Sequence, residues 1–307
     1  MLKTVGLFCL TMSLTFLTAP AAWAQSSKGA TPRPDGLVAE GVSRQTLGDL
    51  TIYSLADGQG RLDFSIILGL NKEGIRSLVG QSPEMDDHSL ASYTNCFLVK
   101  SPAGLFLVDT GKGDGANLAQ RVRAAGFAPE EVTDVLLTHF HGDHINGLLA
   151  GDKALFPKAT VWAAASEDRY WLQEGATTRG QAAEARISPY RQAGRYKTFQ
   201  PGDAIKPGVT SVGLSGHTPG HVGFLFQSGA GELLLWGDIV HAYLVQFARP
   251  ATSVTYDVDP TAAAATRAQI MKKSAEAGYL VGGAHLPFPG LGQIQAKAEA
   301  YEWVKTR

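Results

Sequence analysis

The sequence predicts a mixed α/β (α+β) fold, two β-sheets packed together with helices outside, in one domain. Three observations predict it. Short apolar runs of strand character cluster up to residue 108 and then alternate with helical segments, without the regular rhythm of a parallel βαβ sheet. The chain has 307 residues, 44% of them hydrophobic and 18% charged, which is ordinary globular composition with material for a sizeable core. Its formal net charge is −1 and it carries no basic block, so nothing in it points to nucleic acid or to an anionic membrane surface.

The N-terminus is a different object. Lys3 supplies a positive start, residues 5–17 are apolar, and Ala22-Trp23-Ala24 is a small-x-small cleavage site before Gln25. Residues 1–24 therefore read as a cleaved secretory signal, and the mature protein as periplasmic or secreted. The apolar run is shorter than the ~20 residues a membrane span needs, and no second one follows. Cys9 leaves with the signal. Cys96 remains alone, so no internal disulfide is expected, and its apolar setting (Cys96-Phe97-Leu98-Val99) reads as that of a buried thiol. Residues 25–45, with Thr31-Pro32-Arg33-Pro34-Asp35-Gly36, read as a flexible lead-in. The domain proper is expected over 46–307.

Within it, residues 47–55 read as a strand ending at the turn Asp57-Gly58, and 71–79 as a helix capped by Asn71. Residues 96–100 and 105–108 form strands around the turn Ser101-Pro102-Ala103-Gly104. A helix over 117–125 is closed by Gly126, and a strand follows over 132–137. Asp143 is placed to open a short helix to 149. Residues 160–164 read as a strand and 166–173 as a helix with Ser166 at its cap. Residues 177–195 look helical but broken at Pro189. Strands return at 210–214, 222–226 and 233–236. The longest helix is expected over 260–277, with Asp259 as N-cap and Pro260 in first position. A strand over 279–284 ends at His285, and the last residues form a final strand.

The chemistry gathers in Thr138-His139-Phe140-His141-Gly142-Asp143-His144, directly after the apolar run Val135-Leu136-Leu137. Imidazoles and a carboxylate converging on one loop suit a divalent metal such as zinc. Residues two apart at the end of an extended strand point the same way, so His139 and His141 can share one ion. Asp143 and His144 lie past the turn and suit a second ion nearby. Further ligands stand at later strand ends: His217 or His221 in Gly216-His217-Thr218-Pro219-Gly220-His221, Asp238 after Trp236-Gly237, and His285 before Leu286-Pro287. Spacing alone does not choose between His217 and His221. His88, in a polar acidic loop, reads as solvated.

With these residues in view, the chain resembles the metallo-β-lactamase superfamily over nearly all of its mature length. The resemblance is nearest to the branch of methyl parathion hydrolase and related lactonases and arylesterases, through Val108-Asp109-Thr110-Gly111, the His-x-His-x-Asp-His motif, the His217 stretch, Trp236-Gly237-Asp238, Val245-Gln246-Phe247 and His285-Leu286-Pro287-Phe288-Pro289-Gly290. It implies an αββα sandwich, with residues 46–307 as a single catalytic domain. It implies two divalent ions, zinc first and iron, manganese or cobalt as alternatives. His139, His141 and His217 would bind one, Asp143, His144 and His285 the other, and Asp238 would bridge them. Asp109 is then a residue holding the metal loop by hydrogen bonds, or else a turn-former or N-cap. His221 stands behind the ligands or packs as a structural histidine.

His241, three residues after Asp238, lies near a position where some lactonase relatives carry a tyrosine that assists the substrate carbonyl. It polarises substrate or donates a proton, or it serves only behind the ligands or at the surface; Tyr243 is a second candidate for the same task. Trp171 matches an aromatic lining the substrate cleft of the phosphotriesterase-like relatives. Phe247 and Phe288 are further cleft candidates, and core packing is the alternative for all three. The loop Lys112-Gly113-Asp114-Gly115 departs from those relatives, which carry an aromatic there.

The implied function is an exported hydrolase in which a hydroxide bridging two metals attacks an ester or lactone, with phosphotriesters as side substrates. Asp143 and Asp238 would fix the metals and relay a proton. The chain has no Gly-x-Ser-x-Gly elbow and no Ser-x-x-Lys pair, so no serine nucleophile is signalled. Two rivals share the fold: a true β-lactamase, against which Asp238 and His144 argue, and an iron-dependent oxidoreductase of thiols or sulfur. Relatives are often homodimers, so the resemblance makes a homodimer an expectation by analogy only.

Overall fold

The computed structural model describes residues 35–113, 115–173, 177–298 and 300–306. The signal sequence expected over 1–24 lies outside the described residues, as does the lead-in up to residue 34. From Gly36 onward the lead-in is sheet, which corrects the expectation of a flexible segment to residue 45. Strands β1 (Gly36–Ala39) and β2 (Val42–Leu47) pair antiparallel, and β2 pairs in turn with β3 (Leu50–Asp63). Val42 is fully buried, and Asp35 accepts hydrogen bonds from Arg44 Nη1 (2.7 Å) and Thr46 Oγ1 (2.9 Å). Long-range pairing has overridden a locally loop-like composition.

β3 does not turn at Asp57-Gly58. The register against β4 (Ser89–Ser101) shifts between Ala56 and Gly58, so the pair forms a bulge and the strand continues. β5 (Gly104–Val108) joins antiparallel to β4, and β6 (Asp134–Leu136) lies parallel to β5. A small ribbon of β7 (Leu149–Ala150) and β8 (Lys153–Ala154) stands apart. β9 (Thr160–Ala164) and β10 (Tyr196–Phe199) extend the parallel block, giving the order β1-β2-β3-β4-β5-β6-β9-β10.

The second sheet runs in sequence order through β11 (Ala204–Lys206), β12 (Val209–Gly213), β13 (Val222–Ser228), β14 (Gly231–Leu235), β15 (Leu280–Gly282), β16 (Leu291–Lys297) and β17 (Ala300–Lys305). Only β14 and β15 pair parallel in it. The tail thus forms two strands where one was expected. β15 is shorter than the expected 279–284, because the chain leaves the sheet at Gly283 on its way to His285.

Among the described residues the helices are α1 (Lys72–Val79), α2 (Gly115–Ala124), the single turns α3 (Gly142–Ile145) and α4 (Ala165–Asp168), α5 (Thr178–Gln192), the turn α6 (Tyr243–Gln246) and α7 (Pro260–Ala277). Local signals account for two of them: Asn71 accepts from the Gly74 N–H at 2.9 Å, and Asp259 from the Ala262 N–H at 2.9 Å. α4 begins at Ala165, so Ser166 is not its cap, and a π-helical turn over Arg169–Gln173 follows. α5 runs unbroken through Pro189, which sits in its last turn. Ile187 and Tyr190 on either side are buried, and the Tyr190 hydroxyl donates to the Leu148 carbonyl (2.8 Å), so packing holds the helix across the missing N–H. No described helix is long and apolar enough to cross a membrane.

Side-chain alternation sorts the layers. Phe106, Val108 and Leu136 of the first sheet meet Phe224, Leu233 and Leu235 of the second in a sandwich core. Leu105 and Leu107 face the other way, toward Leu118 of α2 and Ile187 of α5. Leu234 and Val281 face Ile270 and Met271 of α7. The architecture is helix, sheet, sheet, helix, and Pro34–Arg307 forms one compact unit. β5, β6 and β9 share one direction in the first sheet, as do β14 and β15 in the second. Loops leaving the ends of such strands build the crevice.

Candidate metal centre

The loop after β6 is pinned from beneath by Asp109, the residue that follows β5. Asp109 is buried and takes a left-handed backbone conformation (φ 58°). Its Oδ1 accepts from the Thr138 N–H (2.8 Å), while Oδ2 accepts from Thr138 Oγ1 (2.8 Å) and from His144 Nδ1 (2.8 Å). The Asp109 carboxylate is therefore spent on holding the histidine loop and not on capping a helix.

These contacts fix tautomers. Thr138 Oγ1 spends its proton on Asp109, so at 3.1 Å it accepts from His139 Nδ1, leaving His139 Nε2 as a free lone pair. His144 likewise gives Nδ1–H to Asp109. His217 gives Nδ1–H to Asp257 Oδ1 (2.9 Å), and His285 gives its own to the Tyr93 carbonyl (2.6 Å). Four rings thus bond outward through Nδ1 and turn Nε2 inward, the arrangement by which proteins orient metal-binding histidines.

The inward nitrogens meet around Asp238. Its Oδ2 lies 3.2 Å from His217 Nε2, 3.2 Å from His285 Nε2 and 3.5 Å from His139 Nε2; its Oδ1 lies 3.1 Å from His144 Nε2. His141 Nδ1 approaches His217 Nε2 at 2.9 Å, and Asp143 Oδ2 approaches His285 Nε2 at 3.5 Å. His139, His141, His217 and Asp238 each offer a donor atom within 4.8 Å of one another, and so, as a second group, do Asp143, His144 and His285. His139 Nε2, His144 Nε2 and Asp238 Oδ1 are buried with no hydrogen-bond partner. Buried acceptors left orphaned side by side are costly, and a cation between them removes that cost. The residues fit divalent metal.

The electrostatics divide the rings: burial favours the neutral form of His139 and His141, whereas the neighbouring carboxylates overcome burial at His144, His217 and His285 and favour positive charge there. Burial pushes His139 well below the ordinary histidine range and His141 down to about 3, keeping both lone pairs available. Burial also opposes charge on His217, but Asp238 and Asp257 overcome it and push the ring up to about 9. Burial would raise Asp238, yet the surrounding histidines, His144 first, hold it well below the usual carboxylate range. A buried carboxylate kept ionised at the hub draws positive charge to the rings around it, and a cation between them would supply that charge in place of protons.

His221 is not part of the inward set. Its Nε2 accepts from the Asp238 N–H (3.0 Å) and its Nδ1–H goes to the Leu214 carbonyl (3.0 Å), so it positions Asp238. Gly237 between them has φ 56°, and a Cβ there would lie 2.6 Å from His221 Nε2. His241 is inside the centre. Its Nε2 stands 3.0 Å from Asp238 Oδ2, its ring stacks on His285 (centroids 4.9 Å, 23°), and its Nδ1 is buried without a partner.

A cavity of about 760 Å³ opens onto the centre, with Leu62, Ile145, Tyr170, Trp171, Tyr256 and Val258 among its walls. Trp171 stands edge-on to His141 at 5.6 Å. The other aromatic candidates do not line this cavity. Tyr243 turns its hydroxyl to Glu84 Oε2 (2.5 Å), away from the metal donors. Phe247 is buried against Trp236 in the core under α7, and Phe288 is half-buried beside Pro289. Phe247 thus takes the core alternative, Tyr243 lies on the short turn α6 with its hydroxyl on Glu84, and Phe288 lies past His285 on the way to β16. His88 is exposed, as expected.

Sequence reading missed Asp257, Arg267 and Glu167. Asp257 orients His217 from forty positions away. Arg267, buried on α7, approaches Asp257 at 3.6 Å and donates to the carbonyls of Ile239, Pro250 and Thr252. Glu167 is buried and bonded to both histidine loops.

A family model described as the metallo-beta-lactamase superfamily matches residues 90–285, from β4 to the last inward histidine. The chain belongs to this superfamily. Among solved structures, the hydrolase AbOPH superposes with a TM-score of 0.80 at 29% identity, covering 87% of this chain and 98% of that one. AidC, described as a dizinc quorum-quenching lactonase and solved with a product, superposes with a TM-score of 0.79 at 26% identity and the same coverages. A probable metallo-hydrolase of Mycobacterium bovis is 27% identical over 187 residues, which are 50% of this chain and 59% of that protein. An N-acyl homoserine lactonase of a Bacillus species is 25% identical over 167 residues, 46% of this chain and 61% of its own. The superfamily chain thus spans about three-fifths of the curated relatives it matches.

Proposed function

We propose that this chain is an exported, dinuclear metal-dependent hydrolase that cleaves an ester or lactone, with zinc as its metal. The observation carrying the proposal is the cluster of buried, unpartnered donor atoms aimed at Asp238. His139 Nε2, His141 Nδ1 and His217 Nε2 would hold one ion, Asp143, His144 Nε2 and His285 Nε2 the other, and Asp238 would contact both. An ion pair in that position supplies Lewis acidity toward a carbonyl and lowers the pKa of water toward ~7.

The chain's own residues do the rest. Asp109, Asp257 and the Tyr93 carbonyl hold the rings so that lone pairs face inward. Asp238, kept ionised, supplies the negative charge at the hub. His241, with Nδ1 unpartnered beside the cavity and Nε2 on Asp238, would accept at Nδ1 the proton lost by the attacking water and return it to the oxygen released when the acyl–oxygen bond breaks. Trp171, Tyr256 and Val258 offer an apolar wall to the non-reacting part of a neutral substrate. The lactonase AidC among the structural neighbours favours an ester or lactone carbonyl as the reacting group. Phosphotriesters are side substrates, given the departure at Lys112-Gly113-Asp114-Gly115.

The test is metal analysis of the purified protein together with a screen of lactones, aryl esters, phosphotriesters and β-lactams. The expected result is about two ions per chain and turnover of lactones or aryl esters, lost on chelation. Absence of both metal and hydrolysis overturns the proposal. Nitrocefin turnover would instead mark a β-lactamase, and oxygen uptake on a persulfide an iron-dependent oxidoreductase. Export is tested by N-terminal sequencing of the periplasmic protein, expected to begin at Gln25.

A further inference from the structure

Glu167 is 1% exposed and stands in α4, just past the end of β9 in the first sheet. Its carboxylate accepts four hydrogen bonds. Oε1 takes the Phe140 N–H (3.0 Å) and the Trp171 Nε1–H (2.6 Å). Oε2 takes the Thr218 hydroxyl (2.8 Å) and the Gly220 N–H (3.0 Å). Phe140 lies between His139 and His141, on the loop that leaves β6 of the first sheet. Thr218 and Gly220 follow directly after His217, on the loop that leaves β12 of the second sheet. One carboxylate therefore spans the two sheets exactly where three histidines must converge, and none of its four bonds goes to Asp143, His144 or His285.

The fit is tight on both sides. A Cβ on Gly220 would lie 2.2 Å from the Glu167 backbone nitrogen, so the His217 loop is pressed directly onto α4. Three of the four donors are N–H groups, which cannot reverse roles. A side chain with one acceptor oxygen cannot serve both loops.

We propose that Glu167 is a positioning residue that sets the distance of His217 from His139 and His141, and so governs the affinity of the ion those three would hold without governing the other. The inference rests on the two-ion reading above. In Glu167→Gln the amide oxygen keeps Phe140 and Trp171, since both only donate. The amide NH₂ then faces Thr218, whose hydroxyl can turn to accept, and Gly220, whose N–H cannot. The His217 loop is released and the His139 loop is not.

Zinc alone is the probe, measured by competition with a chromogenic chelator in two backgrounds. His285→Ala leaves the three-histidine set, and His217→Ala leaves the set of Asp143, His144 and His285. Adding E167Q is expected to weaken zinc about tenfold or more in the first background. In the second, little change is expected. No loss in the first background, or equal loss in both, overturns the proposal; equal loss would mean that Glu167 merely stabilises the fold. Should E167Q fail to fold, Thr218→Val removes one of the four bonds and is read the same way, a smaller loss confined to the first background being expected and an equal or absent one overturning the proposal. A wild-type chain that binds no zinc overturns the two-ion reading itself, and this proposal with it.

Discussion

A histidine presents a lone pair to a cation only when its other nitrogen has somewhere to put its proton, and Asp257 serves that purpose for His217. It is also held in place, by the Val254 N–H at 3.1 Å and by Arg267. Asp257→Ala leaves the His217 ring free to rotate or change tautomer, and is expected to weaken zinc binding about 10- to 100-fold, as measured by chelator competition. His241→Ala should behave differently: kcat falls while bound metal stays at the wild-type level, since His241 contacts Asp238 without belonging to either proposed ligand triad. Equal metal loss in both variants would assign His241 to ion binding instead. The motif at 139–144 was readable because its residues are neighbours in sequence. Asp257 was not, because an aspartate two positions before the N-cap Asp259 reads as part of a helix entry, and its partner lies forty residues upstream. Glu167 was hidden for the same reason, inside what read as a plain helical turn.

At the scale of elements, α5 shows tertiary contact outvoting a local breaker. The helix survives Pro189 because Ala183, Ile187 and Tyr190 pack on the first sheet, and because the Tyr190 hydroxyl is used twice, donating to the Leu148 carbonyl and accepting from the Phe156 N–H at 3.2 Å. Tyr190→Phe strands both backbone groups, and is expected to cost about 1–3 kcal/mol in chemical denaturation while leaving metal content unchanged. A loss of metal would mean that α5 transmits strain to the centre. Elements with strong local signals were readable to the residue: α7 starts at Pro260 behind Asp259, and β9 covers Thr160–Ala164. The β1–β2 hairpin and the bulge at Asp57-Gly58 were not, since strand pairing across the sheet, and not local composition, decides both.

At the scale of the whole molecule, two packed sheets with helices outside followed from where strands and helices fall, and the resemblance made this the αββα order. It also added which strand ends meet, something no single stretch contains. The first sheet supplies His139, His141, Asp143 and His144 after β6; the second supplies His217, Asp238 and His285 after β12, β14 and β15. The centre therefore lies across the sandwich, and anything bound there ties the two sheets together at one end, while the apolar core of Phe106, Phe224 and their neighbours ties them along its length. Without a cation, orphaned buried acceptors face one another at that end and oppose closure. Ligand bound only to the folded state adds about 4 kcal/mol at a thousandfold excess over Kd. Chelation should accordingly lower the thermal midpoint by several degrees, zinc should restore it, and Asp238→Ala, which removes the hub contacting both proposed ions, should abolish most of the zinc-dependent shift. A midpoint indifferent to chelator, with metal demonstrably removed, would mean that the sheets hold the centre closed on their own and that the metal serves chemistry alone.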